Sequence, residues 1–209
     1  SKQRTMEAFG AEVIVEESYG KGITPELIER MKDKASRLCD NSNVYYADQF
    51  GSPDVTLGYE PMGQEIANSL DHNIDIFCAS VGTGGAIMGT WQGLVRSDTK
   101  VSVVAFEPLQ SPFLTTGKGG AHKVEGIGVG FDPPFLDRAA LSDIRTIDQD
   151  HGFSMCRRLA KEEGIFCGAS TGLNVVGAIE LAKVMKPEQR VVTLACDSGL
   201  KYLGGHIYV

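Results

Sequence analysis

The sequence feature that most constrains the fold is a short apolar run followed by a cluster of glycines. Residues 75–80 read Asp-Ile-Phe-Cys-Ala-Ser, which fits a buried strand, and Gly82-Thr83-Gly84-Gly85 precedes a helical pattern that starts near Ala86. A strand, a glycine-rich turn and a helix in this order expose several backbone N–H groups at the helix N-terminus. This arrangement favours a bound phosphate, with the Thr83 hydroxyl as a further donor. A tight turn without a ligand is the competing interpretation of this segment taken alone.

The rest of the chain alternates strand-like and helical patterns. Strands are predicted at 12–16, 44–47, 75–80, 101–107, 143–147 and 190–196. Helices are predicted near the N-terminus, from Thr24-Pro25-Glu26, over 60–70, from Ala86, from Asp148 to Gly164 and from Gly172 to Met185. Such alternation is typical of a largely parallel sheet with helices on both faces. Residues 108–142, rich in Gly and Pro, predict a long functional or mobile loop.

Composition excludes several classes of protein. The net charge of -7 argues against a nucleic-acid or anionic-membrane surface, and no apolar run reaches the length of a membrane span. No signal peptide opens the sequence. The histidines are scattered and there is no C-x-x-C, so no metal site is expected. The odd number of widely spaced cysteines predicts reduced core residues of an intracellular protein: Cys39, Cys78, Cys156, Cys167 and Cys196.

A nicotinamide-nucleotide-binding module is one alternative that the glycine cluster leaves open. Gly82-x-Gly84 follows a strand, and Glu107 ends the next strand at a plausible distance for binding a ribose. The dinucleotide pattern, however, requires a third glycine where Ile87 stands. The match is therefore weaker than the match to a simple phosphate loop.

Three other segments carry site-like patterns, each with a structural explanation beside it. Residues 164–172 enter a helix through Ser170 and Thr171, which could also be simple caps. Residues 123–131 alternate glycines in a way that suits a backbone pressed against a flat ligand, or an irregular loop. Residues 196–203 follow a buried strand and could form only a turn.

In their order and spacing, these segments resemble the cysteine synthase and cystathionine β-synthase family of pyridoxal phosphate (PLP) enzymes. The matching stretches are Met6 to Val13, Gln49-Phe50, Gly82 to Gly85, Glu107-Pro108, Lys123 to Gly130, Gly164 to Gly172 and Ser198 to Leu203. The resemblance implies an α/β fold of the fold type II PLP kind, tryptophan synthase β-like, with parallel sheets, helices on both faces and an incomplete N-terminus. Residues 1–50 would be a remnant of a smaller N-terminal domain, and 51–209 the larger PLP-binding domain.

The resemblance also implies how the cofactor phosphate is held. The family's phosphate loop corresponds to Gly82, Thr83, Gly84, Gly85 and Ala86. The last position is usually threonine, so Ala86 removes one hydroxyl donor and keeps the backbone N–H.

Further roles follow from the resemblance for the pyridine ring and the substrate. The residue that bonds the pyridine nitrogen corresponds to Ser170. A neutral hydroxyl leaves this nitrogen mostly unprotonated, which suits β-elimination and β-replacement better than transamination. The substrate-binding positions correspond to Gln49 and to a loop of Gly126, Ile127 and Gly128.

Two differences from the family pattern concern the substrate and the catalytic lysine. Ser52-Pro53-Asp54-Val55 and Pro61-Met62-Gly63 stand where the family often has Asn-Pro-x-Asn and Thr-Thr-Gly, so the acyl donor and nucleophile stay open. The family's Schiff-base lysine lies in a segment that would precede Ser1, and neither Lys123 nor Lys201 stands in that context. The resemblance therefore implies no catalytic residue in this chain and an inactive fragment of a longer protein.

The complete enzyme implied by the resemblance performs β-replacement on an activated serine, such as O-acetylserine plus sulfide giving cysteine. The family further implies a small amino-acid substrate, a homodimer and a cytoplasmic location. A serine/threonine deaminase-like or other β-eliminating lyase is the first alternative. The nicotinamide-binding module and a catalytically inactive regulatory fragment are the others.

Overall fold

A computed structural model describes residues 2–19, 25–40 and 43–208 of the chain. The chain divides into two compact units, residues 1–48 and residues 49–209. No helix among the described residues is both long enough and apolar enough to cross a bilayer.

The described residues of the first unit form two helices, α1 (Lys2–Ala8) and α2 (Pro25–Leu38). The predicted start of α2 is confirmed at Pro25, whereas the proposed cap Thr24 lies outside the described residues. The segment before α2 is held to the helix by the ion pair from Lys34 Nζ to Glu16 Oε1, 2.7 Å long. This pairing, chiefly the hydrogen bond to Lys34, lowers the pKa of the Glu16 carboxyl.

The predicted strands at 12–16 and 44–47 are wrong, because neither segment forms a strand. A strand needs a neighbouring strand to accept and donate its backbone hydrogen bonds. The described residues of this unit contain no such partner. The β-branched residues at 12–16 favour an extended chain but cannot make a strand by themselves.

The second unit is built on a four-stranded parallel sheet with strand order β3-β2-β1-β4. Its elements are α3 (Asp54–Leu57), α4 (Glu60–Ser69), β1 (Ile76–Ser80), α5 (Gly85–Arg96), β2 (Ser102–Pro108), α6 (Phe113–Thr116), β3 (Asp143–Ile147), α7 (Gln149–Arg158), α8 (Ala169–Ala182) and β4 (Val191–Thr193). A π-helical turn over Leu159–Glu163 extends α7, and short 3₁₀ turns occupy Arg138–Ala140 and Gly199–Tyr202.

Both faces of the sheet are buried, as the α/β prediction requires. Alternate strand residues point to opposite faces. Cys78 and Phe106 join one hydrophobic cluster, which also contains Leu173 of α8 and Phe153 of α7. On the other face, Phe77, Ala79 and Val103 pack with residues of α5. The predicted parallel sheet with helices on both faces is confirmed.

Most predicted elements of this unit are confirmed, with different ends. Asp148 caps α7 by accepting a hydrogen bond from the Asp150 N–H at 2.7 Å, and Gly164 ends the helical run with a φ of +70°. Helix α8 begins at Ala169 rather than Gly172. The last strand, predicted over 190–196, is only Val191–Thr193.

The cysteines follow the prediction in part. Cys78, Cys156 and Cys167 are buried, and burial raises the pKa of the Cys78 thiol to about 12. Cys39 is half-buried and Cys196 is exposed, so these two are not core residues.

Candidate functional site

The strand order places a crevice at the carboxyl ends of β1 and β4. From β1 the chain proceeds to β2 and β3 on one side, and then returns to place β4 on the other side of β1. In open parallel sheets, ligands bind outside the carboxyl ends of the strands where the direction of winding reverses. The β1/β4 boundary is that point in this sheet.

The glycine-rich loop follows β1 directly and leads into α5. The backbone N–H groups of Gly82, Thr83, Gly84 and Ala86 donate to no acceptor within the described part of the chain. Free N–H groups and the positive end of the α5 dipole together favour a phosphate. The loop therefore has the donors that its predicted role demands.

The shape of this loop depends on glycine at two positions. Gly84 has a φ of +90°, and a Cβ there would lie 2.7 Å from the Leu136 backbone nitrogen. A Cβ on Gly82 would lie 2.4 Å from the Gly126 carbonyl oxygen. Any larger residue would displace the neighbouring backbone, so the close approach seen here requires glycine.

The second glycine segment lies against the first. The Gly128 N–H donates to the Val81 carbonyl at 3.0 Å, and the Gly128 carbonyl accepts from His122 Nε2, also at 3.0 Å. Gly126 is exposed, whereas the Ile127 side chain is buried in the hydrophobic core. Of the predicted substrate positions, Ile127 can thus offer a ligand only its backbone.

Helix α8 brings Ser170 to the same edge of the sheet. Gly168, not Ser170, is the N-cap residue, and Ser170 lies buried in the first turn. Thr171 accepts a hydrogen bond from the Cys196 N–H at 2.9 Å. Neither hydroxyl caps the helix, so the capping explanation of these residues is wrong.

Cys196 follows β4, and its Sγ accepts a hydrogen bond from Asn174 Nδ2 of α8 at 3.6 Å. Desolvation raises the pKa of its thiol, and hydrogen bonding with Ser170 acts in the opposite direction. No role is predicted for Cys196 from the sequence, although it opens one of the site-like segments. Its position at the end of the predicted strand 190–196 is the signal that could identify it.

Gln49 occupies a less defined position. It is exposed in a turn. The next residue, Phe50, packs against Phe131 at the end of the glycine segment, with ring centroids 6.2 Å apart. The predicted substrate role of Gln49 stays a prediction.

The buried carboxylate of Glu107 is fully engaged. Its Oε2 accepts from the Leu114 N–H at 2.6 Å, and its Oε1 accepts from the Thr115 N–H at 3.0 Å and the Thr115 hydroxyl at 2.7 Å. A ribose would need these oxygens free. The arrangement does not favour a nicotinamide nucleotide.

The residues at this edge fit a PLP-like cofactor. The loop after β1 supplies free donors for a phosphate, and the Ser170 hydroxyl supplies a neutral partner for a ring nitrogen. The Ser80 hydroxyl is buried and has no hydrogen-bond partner among the described residues, which is costly unless a ligand or water completes it. No group of three or more potential metal ligands occurs in the described ranges.

Comparison with known proteins identifies the family. The family model described as "Pyridoxal-phosphate dependent enzyme" matches residues 1–197. A probable cysteine synthase of Bacillus subtilis is 34% identical over 206 residues, which are 97% of this chain and 65% of that protein. A cysteine synthase of Helicobacter pylori is 32% identical, over 100% of this chain and 66% of that protein.

Solved structures show the same fold. The cysteine synthase of Entamoeba histolytica has a TM-score of 0.87 at 30% identity, covering 99% of this chain and 60% of that one. The O-acetylserine-dependent cystathionine β-synthase of Helicobacter pylori also has a TM-score of 0.87, at 34% identity, covering 100% and 66%. The chain spans less than two thirds of the length of each of these relatives. It belongs to the pyridoxal-phosphate dependent enzyme family and has the α/β fold of the cysteine synthases within it.

Proposed function

We propose that the protein carrying this chain performs PLP-dependent β-replacement on an activated serine, in the manner of a cysteine synthase. The observation that carries the proposal is the reversal of winding between β1 and β4, with the free backbone N–H donors of the loop after β1 and the buried Ser170 of α8 at that edge of the sheet. The relatives named cysteine synthase support the same chemistry. When bound, PLP would supply the electron sink that allows a leaving group to depart from the β-carbon of an amino acid.

The chain's own residues divide this work among four segments. The N–H groups of Gly82, Thr83, Gly84 and Ala86, with Gly85 at the start of α5, bind and orient the phosphate.

The ring nitrogen and the substrate fall to the remaining predicted residues. Ser170 offers the ring nitrogen a hydroxyl rather than a carboxylate, so the nitrogen stays largely unprotonated. Gly126 and Gly128, both with positive φ, are the proposed backbone contacts of the substrate loop. Gln49 is the proposed contact for the substrate, and the Schiff-base lysine is proposed to lie outside these 209 residues.

An assay with PLP, O-acetylserine and sulfide tests the reaction. We expect cysteine to form only when sulfide is present. Pyruvate and ammonia released from serine without sulfide would instead support the β-eliminating lyase. Stabilisation by a nicotinamide nucleotide with no response to PLP would overturn both PLP-based functions.

The mass of the purified protein after borohydride reduction with PLP tests the position of the lysine. We expect one reduced PLP adduct on a polypeptide heavier than the 22.5 kDa of this chain. An unmodified 22.5 kDa protein would mean that the chain alone cannot perform the reaction. A regulatory or binding role would then replace catalysis.

The assembly state and location are part of the same proposal. We expect a homodimer in the cytoplasm, on the family resemblance alone. Light scattering coupled to size-exclusion chromatography measures the assembly directly, and a monomer at micromolar concentration would contradict it.

A further inference from the structure

Strands β1 and β4 separate abruptly at their carboxyl ends. Their parallel ladder pairs Ile76 with Val191 and Cys78 with Thr193, and then stops. The Ile76 N–H donates to the Arg190 carbonyl at 3.1 Å. In a parallel ladder the donors toward one neighbour recur at every second residue, so the next two would be Cys78 and Ser80. A continued ladder would therefore join the Ser80 N–H to the Leu194 carbonyl.

A side chain of α8 occupies that place. The Ser80 N–H donates to Asn174 Oδ1 at 2.7 Å, and Asn174 Nδ2 donates to the Leu194 carbonyl at 3.0 Å. Asn174 is completely buried. Its amide thus satisfies both backbone groups of the missing rung.

The following rung is replaced in the same way. A continued ladder would have the Cys196 N–H donate to the Ser80 carbonyl. It donates instead to the Thr171 hydroxyl, at 2.9 Å. Thr171 and Asn174 are three residues apart and lie on one face of α8. Two consecutive rungs are therefore exchanged for contacts with the helix, while β1 stays paired with β2 as far as Ser80.

This exchange opens the edge of the sheet. Paired strands lie about 4.8 Å apart, and a side-chain amide between two backbone groups adds its own width and a second hydrogen bond. The opening lies between the glycine loop after β1 and Cys196 after β4. Ser170 adjoins Thr171 at the start of the same helix.

We propose that Asn174 is a positioning residue that parts β1 from β4 and so sets the width of the crevice for a pyridine ring. It acts through the Ser80 and Leu194 backbone and does not touch the ligand. The proposal rests on the proposed PLP function. The buried Asn174 amide, rather than the pairing of β1 with β4, then determines the distance between the phosphate loop and Ser170.

Binding of pyridoxine 5′-phosphate to the chain tests this role. This probe has an alcohol in place of the aldehyde, so surface lysines cannot capture it covalently. Asn174→Leu removes both hydrogen bonds and keeps the same branched skeleton of heavy atoms, and Asn174→Asp keeps only the acceptor for the Ser80 N–H. Leu181→Ala serves as the control, because Leu181 is buried in the last turn of the same helix, away from the crevice.

We expect Asn174→Leu to raise the Kd for pyridoxine 5′-phosphate at least about tenfold, which corresponds to the loss of a hydrogen-bonded position. Asn174→Asp, which also covers the case that Asn174→Leu does not fold, should fall between it and the unmodified chain. Leu181→Ala should lower the melting temperature as much as Asn174→Leu does, but it should leave the Kd for pyridoxine 5′-phosphate unchanged.

Three results are separable in this experiment. If the unmodified chain does not bind the probe, the proposed function fails. If it binds and both Asn174 variants bind equally well, Asn174 is structural only and the inference is overturned. If Leu181→Ala loses affinity as much as the Asn174 variants, affinity follows stability and the inference is again overturned.

Discussion

At the scale of single residues, the proposed chemistry depends most on Ser170. Ser170 is buried in the first turn of α8, and hydrogen bonding with its side chain opposes the desolvation that raises the pKa of the Cys196 thiol. A serine hydroxyl is neutral at neutral pH. The Cys196 thiol is also protonated there, because its pKa is raised. These two groups therefore offer a ring nitrogen no negative charge of their own.

The substitution Ser170→Asp reverses this property. In the complete protein that carries the Schiff-base lysine, a carboxylate would favour a protonated ring nitrogen, which we expect to lower kcat for cysteine formation at least about tenfold, or about 1.4 kcal/mol. Ser170→Ala is the matched control, since it removes the hydroxyl without adding charge. Steady-state kinetics of both variants decide the matter, and a kcat for Ser170→Asp that equals the kcat for Ser170→Ala would contradict the role of the charge.

Two glycines of the loop 126–128 differ in the steric penalty that a side chain would add to the conformational penalty of a positive φ. Gly126 and Gly128 have φ values of +86° and +60°. A Cβ on Gly126 meets nothing within 4 Å, whereas a Cβ on Gly128 would lie 2.8 Å from His122 Nε2. The conformational penalty is thus similar at the two positions, but the steric penalty is not.

Substitution of each glycine by alanine separates the conformational penalty from the steric penalty. We expect Gly126→Ala to cost about 1 kcal/mol of unfolding free energy, and Gly128→Ala about 2–3 kcal/mol, because it also displaces His122. Urea denaturation measures both. Equal losses of unfolding free energy in the two variants would show that His122 moves without cost and that its hydrogen bond to Gly128 does not contribute to stability.

At the scale of elements, hydrogen bonds join the N-terminus of α7 to the segment that precedes Gly126–Gly128. Asp148 caps the helix and accepts a hydrogen bond from Gln110 Nε2 at 3.1 Å. Gln110 Oε1 accepts from the Gln149 N–H at 3.2 Å, and Gln149 Oε1 accepts from the Lys123 N–H at 2.8 Å. The cap therefore supports the segment leading to Gly126–Gly128 as well as its own helix.

The cap should make a pH-dependent contribution to stability. The pKa of Asp148 is lowered, chiefly by the hydrogen bond from the Asp150 backbone, so the carboxylate stabilises the fold above its unfolded pKa near 3.9. We expect Asp148→Ala to cost about 1 kcal/mol at pH 7, and this difference to shrink as the pH falls below about 4.

Urea denaturation of Asp148→Ala and the unmodified chain from pH 7 to pH 3 checks this. Asp148→Asn is the control, since it keeps a capping oxygen without a titrating charge. A difference between Asp148→Ala and the unmodified chain that stays constant with pH would assign the effect to packing rather than to the carboxylate.

At the scale of the whole molecule, the reversal of winding between β1 and β4 brings distant segments together. Residues near 82, 126, 170 and 196 meet at one edge of the sheet, although more than a hundred residues separate the first from the last. A ligand that bridges them binds only the folded chain and therefore stabilises it.

Pyridoxine 5′-phosphate should raise the free energy of unfolding accordingly. At a concentration of 100 Kd we expect about 2.7 kcal/mol, and no change with NAD, since Glu107 is engaged. Thr83→Ala, which removes one hydroxyl donor, should reduce the effect. Thermal unfolding with each ligand is the measurement, and stabilisation by NAD alone would reverse the assignment.

The sequence alone determined the local elements that have strong signals. The apolar run before Gly82, the Pro25 helix start and the Asp148 cap each depend on neighbouring residues, so they could be predicted from the chain. The glycine-rich turn after this run also predicted a phosphate site, and the family resemblance added the identity of the cofactor and the role of Ser170. The strands at 12–16 and 44–47 failed because a strand depends on a partner that local sequence does not reveal.

Tertiary structure decided how these elements meet at the crevice. The hydrophobic pattern predicts β4 over 190–196, but the strand ends at Thr193. It ends there because the next two backbone groups that would bond to β1 instead form hydrogen bonds with the Thr171 and Asn174 side chains of α8. Cys196 is exposed for the same reason. Hydrophobic pattern specifies which residues are buried, but whether a buried backbone group bonds a strand or a helix side chain depends on packing between segments distant in sequence.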